Sequence, residues 1–139
     1  MRKCCFVIYD NYRQKLISES SNGSFKIALT SYIWTSRFKT YYDHVSVHYM
    51  DNNWILQKHI LGFSELDHRH TTSIIASNIT HTINEYNIEK SMFSITLDNA
   101  SSNNNGVDIL KMNLMLIFFG VLFHVWCACH VLNLCLKIV

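Results

Sequence analysis

Proline is absent from all 139 residues, and glycine occurs only 4 times. Linkers rich in either residue are therefore excluded. Turns must be built by Asn, Asp and Ser, whose short side chains tolerate left-handed backbone. Charge is also scarce. Asp, Glu, Lys and Arg make up 16% of the chain, against an apolar fraction of 49%. A surface with so little charge suggests a fragment, or a domain that lacks partner segments. The net charge of +2 carries no electrostatic argument for nucleic acid, and no run of like charges occurs. Residues 114–123 hold no polar side chain, but this is half of the roughly 20 residues that a spanning helix needs. His124 and His130 interrupt any extension, with Asn113 and Asn133 at its flanks. The five cysteines are odd in number and gather at the two ends, which is no secreted disulfide framework. A reducing, intracellular setting follows. No signal-peptide core follows Met1, because the apolar run over 4–8 is too short.

What is present reads as one domain large enough to bury a core. Loosely helical apolar spacing predicts a helix over 4–18, then a loop over 20–24 around Gly23. Phe25, Ile27, Leu29 and Ile33 alternate with small or polar residues, which predicts a strand ending near Trp34. A second strand carries Val45, Val47 and Tyr49, and a third runs from Trp54 through Leu61. The turn residues Asp51, Asn52 and Asn53 make these two a hairpin. Ile74, Ile75, Ile79, Ile83 and Tyr86 recur near every 3.6 residues, giving a helix over 71–87 that Thr71 or Thr72 caps. A strand over 92–97 follows, then a helix over 99–112 that Gly106 weakens. A strand over 116–126 and a helix over 129–138 complete the chain. The order, β-β-β-α-β-α-β-α after an N-terminal helix, predicts an α/β mixed sheet with helical cover. Right-handed crossovers set the first strand beside the fourth, so that their C-terminal ends converge. The first ends at Tyr32 to Trp34 and the fourth at Asp98.

Asp98 has the setting best suited to a site. A β-prone run ends on its carboxylate and small polar residues follow, as at a sheet end facing a helix N-terminus. It can be a ligand for a hard metal ion, or a helix cap. Cys127 and His130 form a Cys-x-x-His pair, half of a zinc site or an ordinary packed junction. His44 and His48 share a strand face near His59, as a metal pair or as solvated histidines. His68, Arg69 and His70 read as a phosphate contact or as a polar loop. Trp34 and Trp54 are expected as core or sheet-edge packing and not as platforms for bases.

Five blocks, in order over about 25–136, resemble the plant hAT-superfamily transposases, relatives of the BED-type zinc finger proteins. Residues 27–36, IALTSYIWTS, resemble their LTSDxWTS. Residues 49–58, YMDNNWILQK, resemble HYIDxxWxLQKRIL. His70 and Thr71 stand where HTG begins, residues 94–103 resemble SITLDNASAN, and residues 123–134 resemble FHVRCxAHxLNL. The resemblance implies a ribonuclease H-like mixed sheet, a three-stranded antiparallel meander followed by alternating helices and strands, here truncated. It divides the chain into an N-terminal helix and loop over 1–24 and a partial transposase domain over 25–139. It also implies an Asp-Asp-Glu triad that holds two Mg²⁺ or Mn²⁺ ions for DNA strand transfer, with Asp98 as the second aspartate. Tyr32 stands at the first aspartate, and a phenol is a poor substitute for a carboxylate. The family's glutamate, its BED finger and its dimerisation region have no counterpart before Val139. Cys127 and His130 fall in a block near DNA, where Trp126 replaces an arginine.

The expectation is therefore a catalytically inactive fragment with DNA-binding ancestry and no cofactor of its own. Its partners would be DNA or other transposase-derived chains, in the nucleus, with no small-molecule substrate. Two alternatives stand beside it. One is an active metal-dependent nuclease or strand transferase that recruits Asp43, Asp51 or Asp108, or acids supplied elsewhere. The other is a membrane or interaction protein that uses the apolar segment 114–134.

Overall fold

A computed structural model describes residues 2–21, 25–66, 71–98, 101–114 and 123–136. Its elements run α1 (Arg2–Ser21), β1 (Ile27–Thr35), β2 (Tyr41–Met50), β3 (Leu56–Leu66), α2 (Thr72–Glu85), β4 (Met92–Leu97), α3 (Ser101–Asn113), β5 (His124–Trp126) and α4 (Ala128–Leu136). A single 3-10 turn, Glu89–Ser91, leads into β4. The five strands form one mixed sheet in the order β3-β2-β1-β4-β5. The first three strands are antiparallel neighbours, whereas β1 pairs parallel with β4, and β4 with β5. This is the α/β architecture expected from the sequence, with β1 in the centre. Of the strand expected over 116–126, only β5 and Phe123 are seen, because 115–122 lie outside the described residues, as do His68, Arg69 and His70.

Alternation sorts the sheet into two faces. Leu29 pairs with Val47 on one side and Ile95 on the other, and all three are fully buried. Against this row lie Ile75, Ile79 and Ile83, one helical turn apart on α2. Val107 and Leu110 of α3 and Leu16 of α1 extend the same core. A hydrogen-bonded seam joins α1 to the rest. The Tyr86 hydroxyl donates to the Leu61 carbonyl at 3.0 Å and lies 3.1 Å from the Tyr9 hydroxyl. Arg13 donates to the Glu85 carbonyl at 3.0 Å, and the Tyr49 hydroxyl donates to Glu19 at 2.9 Å. Between α1 and β3 this seam leaves a cleft of about 340 Å³ whose lining includes Tyr12, Arg13, Tyr49 and His59.

Two local readings need correction. Trp54 does not pack. It sits at the tip of the five-residue turn closed by Asp51 and Ile55, in left-handed backbone (φ 62°), with its indole 83% exposed. β3 accordingly begins at Leu56. Thr71 precedes α2 in extended backbone but makes no side-chain bond to the helix amides; its hydroxyl pairs with that of Ser73 at 2.9 Å. The side chains of α4 are exposed or half-exposed, with none buried, although the helix is strongly apolar. No helix among the described residues is long and apolar enough to cross a membrane.

Gly106 is buried where α3 meets the first turn of α2. A methyl group there would lie 3.6 Å from the Thr72 carbonyl oxygen, which is ordinary contact. Gly106→Ala is therefore expected to stabilise the fold by about 0.5–1 kcal/mol through reduced unfolded-state entropy, read as a higher urea midpoint.

Candidate functional site

The parallel pairing of β1 with β4 aligns Ala28 with Ser94, Leu29 with Ile95 and Thr30 with Thr96. Two further residues along this register set Tyr32 level with Asp98. The expected convergence of strand ends is thus met. Both residues fall, by alternation, on the face that α2 does not cover. Asp98 is half-buried just past β4, while Tyr32 is 52% exposed and pairs across the hairpin with His44.

The surroundings of Tyr32 are aromatic. Its ring stacks on Trp34 at 6.0 Å with 18° between planes. Trp34 in turn meets Tyr42 at 5.8 Å and Phe63 at 5.5 Å, and Tyr42 stacks on Phe63 at 5.4 Å. Sequence reading missed this cluster. Its signal was available in the hairpin register, which places Trp34 opposite Tyr42 and Tyr32 opposite His44 on one face.

The other acids weighed for the site lie apart from Asp98. Asp43 is on the helix-covered face, pairing with Ile33, and is buried. Ser31 donates to its carboxylate at 2.9 Å. Burial pushes its carboxyl above the usual range, and the Ser31 bond only partly opposes that. Asp51 organises the β2–β3 turn, accepting from the Ile55 amide at 3.0 Å, the Asn53 amide at 2.9 Å and Gln57 at 2.8 Å. These bonds, led by that from Ile55, hold its carboxyl below the usual range. Asp108 is exposed on α3, 4.0 Å from Lys111. Among the described residues, the donor set at the strand ends is thus one carboxylate beside one phenol. It does not fit a two-metal centre, which needs several carboxylate oxygens.

His44 and His48 do share the open face, while His59 pairs with Val47 on the other face. Burial and the Lys58 ammonium both lower the His48 pKa, burial more. Cys127 and His130 are half-buried at the junction of β5 and α4, where the Cys127 carbonyl accepts from the Val131 amide at 3.1 Å. Cys129 is exposed. No group of three His, Cys, Asp or Glu side chains among the described residues is placed to hold a metal ion. Just before Cys127, His124 stacks on Trp126 at 5.6 Å, and burial lowers its pKa.

With this geometry in hand, comparison with known proteins assigns the family. The model of the ZBED1 RNase-like domain matches residues 30–118, which run from within β1 through α3 and include both strand ends. The chain belongs to the ZBED1 RNase-like family. Its relatives include a putative AC transposase of Zea mays, 36% identical over 98% of this chain. The zinc finger BED domain-containing protein RICESLEEPER 2 of Oryza sativa is 26% identical over 92%. A putative transcriptional regulator, tpeD, of Talaromyces stipitatus is 26% identical over 90%. The chain spans less than a fifth of the length of these relatives: 18%, 18% and 15%. It is a transposase-related RNase-like domain.

The buried carboxyl provides a pH test. A carboxyl whose folded-state pKa is raised favours the fold when protonated, below the unfolded value of about 3.9. That contribution is lost as pH rises through the folded-state value. Asp43→Asn retains an acceptor for Ser31 and carries no charge. Its urea midpoint is expected to match the wild type near pH 3 and to exceed it increasingly towards pH 7, since the wild type alone must bury a carboxylate there.

Proposed function

We propose that this chain is a catalytically silent RNase-like domain of transposase descent whose remaining role is to associate with DNA. The reading rests on Tyr32, which comes level with Asp98 when the β1–β4 register, last paired at Thr30 and Thr96, is continued by two residues. In a two-metal strand transfer, carboxylates clamp the ions that hold the attacking and leaving oxygens. A neutral phenol supplies no such clamp, and a single carboxylate binds a divalent ion weakly. By this reading Asp98 is inherited from an acidic site and no longer serves chemistry. The transposase and BED-finger names of the relatives support DNA as the partner, and a nuclear setting follows from that partner. Other chains of the same descent are the natural protein partners, and Cys127 and His130 act as a packed junction near the DNA, without zinc.

The reading predicts two results from one preparation. Supercoiled plasmid is expected to remain uncut in Mg²⁺ or Mn²⁺, for the wild type and for Asp98→Asn alike. Labelled DNA is expected to bind at low salt and to weaken steeply at moderate salt. Metal-dependent nicking that Asp98→Asn abolishes would restore an active site, and absence of DNA binding at both salts would remove the proposed role.

A further inference from the structure

The open face of the sheet is laid out by its register. One row holds Phe63, His44 and Tyr32, level with Asp98, and the next holds Glu65, Tyr42 and Trp34. Phe63 is 62% exposed and Tyr32 52%, so two rings of the cluster present themselves to solvent. Just beyond Trp34 the chain turns through Arg37, Phe38 and Lys39. All three are exposed, and Phe38 is the most exposed large apolar side chain described, at 92%. Neither Arg37 nor Lys39 forms an ion pair among the described residues. Lys39 also occupies left-handed backbone (φ 62°), where glycine is favoured. A cation is therefore held at a position that backbone energetics would give to another residue. Lys58 adds positive charge lower on the same face, against the acids Glu65 and Asp98 at its upper corners.

Clustered rings with exposed surfaces, rimmed by unpaired cations, are the chemistry that recognises single-stranded nucleic acid. Bases stack on the rings, and the phosphates lie against the cations. Duplex DNA presents no unstacked base to such a surface, and an aliphatic partner would make no use of the cations. We propose that the open face is a base-stacking platform for single-stranded nucleic acid, made by Tyr32, Trp34, Tyr42 and Phe63, with Arg37 and Lys39 on the backbone. The proposal deepens the DNA-association reading and rests on it. It also gives Tyr32 a positive role, because a ring replaces a carboxylate that would repel phosphates.

The test uses the full chain and fluorescein-labelled oligothymidine, compared with a duplex of equal length by anisotropy. Single strands are expected to bind more tightly than duplex. Phe63→Ala and Tyr32→Ala are each expected to weaken single-strand binding by about tenfold, with unchanged circular dichroism. Lys39→Gly separates binding from folding, since glycine suits the backbone there. Its urea midpoint should rise, while its affinity falls and the slope of log affinity against log salt drops by about 0.7. In a Trp54→Phe, Trp126→Phe background Trp34 is the sole tryptophan, and its emission is expected to be quenched by oligothymidine. Duplex bound as well as single strands, with Tyr32→Ala and Phe63→Ala unaffected, overturns the platform and leaves DNA association standing. Binding of neither nucleic acid overturns both readings. Concentration-dependent self-association that these two variants abolish, without oligothymidine binding, makes the face a protein interface and overturns the platform.

Discussion

The central position of β1 is the constraint on which the rest of the molecule depends. Its Leu29 is enclosed by Val47 and Ile95 in the sheet and faces the core that α2 completes. Burying such a row removes apolar surface from water, which stabilises the fold by roughly 25 cal/mol per Å². Parallel pairing of β4 with β1 then requires a crossover, and α2 supplies it over the same face. The same pairing brings the end of β1 level with the end of β4. The geometry of the candidate site is thus a by-product of how the core is filled.

The scaffold and the candidate site are therefore separable. The core residues that align the strand ends lie on one face, and the residues that would act lie on the other. Tyr32, on the open face, takes no part in that core, and its ring stacks on Trp34. The open face is aromatic, and its chemistry resembles a binding surface more than an acidic centre. The exposed apolar surface of α4 agrees with a domain that, within the relatives, is one part of a much longer chain.

Much of this was legible from residue patterns. β4 was expected at residues 92–97 and is found there, because turn-forming and small residues bound an unbroken β-prone run. The stripe of Ile75, Ile79 and Ile83 announced α2, and the Asp51 to Asn53 turn announced the β2–β3 hairpin. The position of Trp54 was misread. Its size suggested packing, but the closure of the turn between Asp51 and Ile55 forces the residue before Ile55 into left-handed backbone and turns the indole outward. The aromatic cluster was missed because Phe63 and Trp34 lie far apart in sequence and meet only through two successive strand pairings.

The sequence by itself determined the order and kind of elements, the family resemblance, and the presence of a tyrosine where that resemblance expects an acid, since each is a matter of local pattern or residue identity. Only the tertiary structure decided which of the other acids could take part. Asp43 was an alternative acid by residue type alone, yet strand register turned it into the core against Ser31, while the register of β1 with β4, continued past Thr30 and Thr96, brings Asp98 level with Tyr32. Alternation tells which residues share a face. Which face is buried, and what lies across the neighbouring strand, depends on contacts between segments distant in the chain, and those are settled only when the sheet forms.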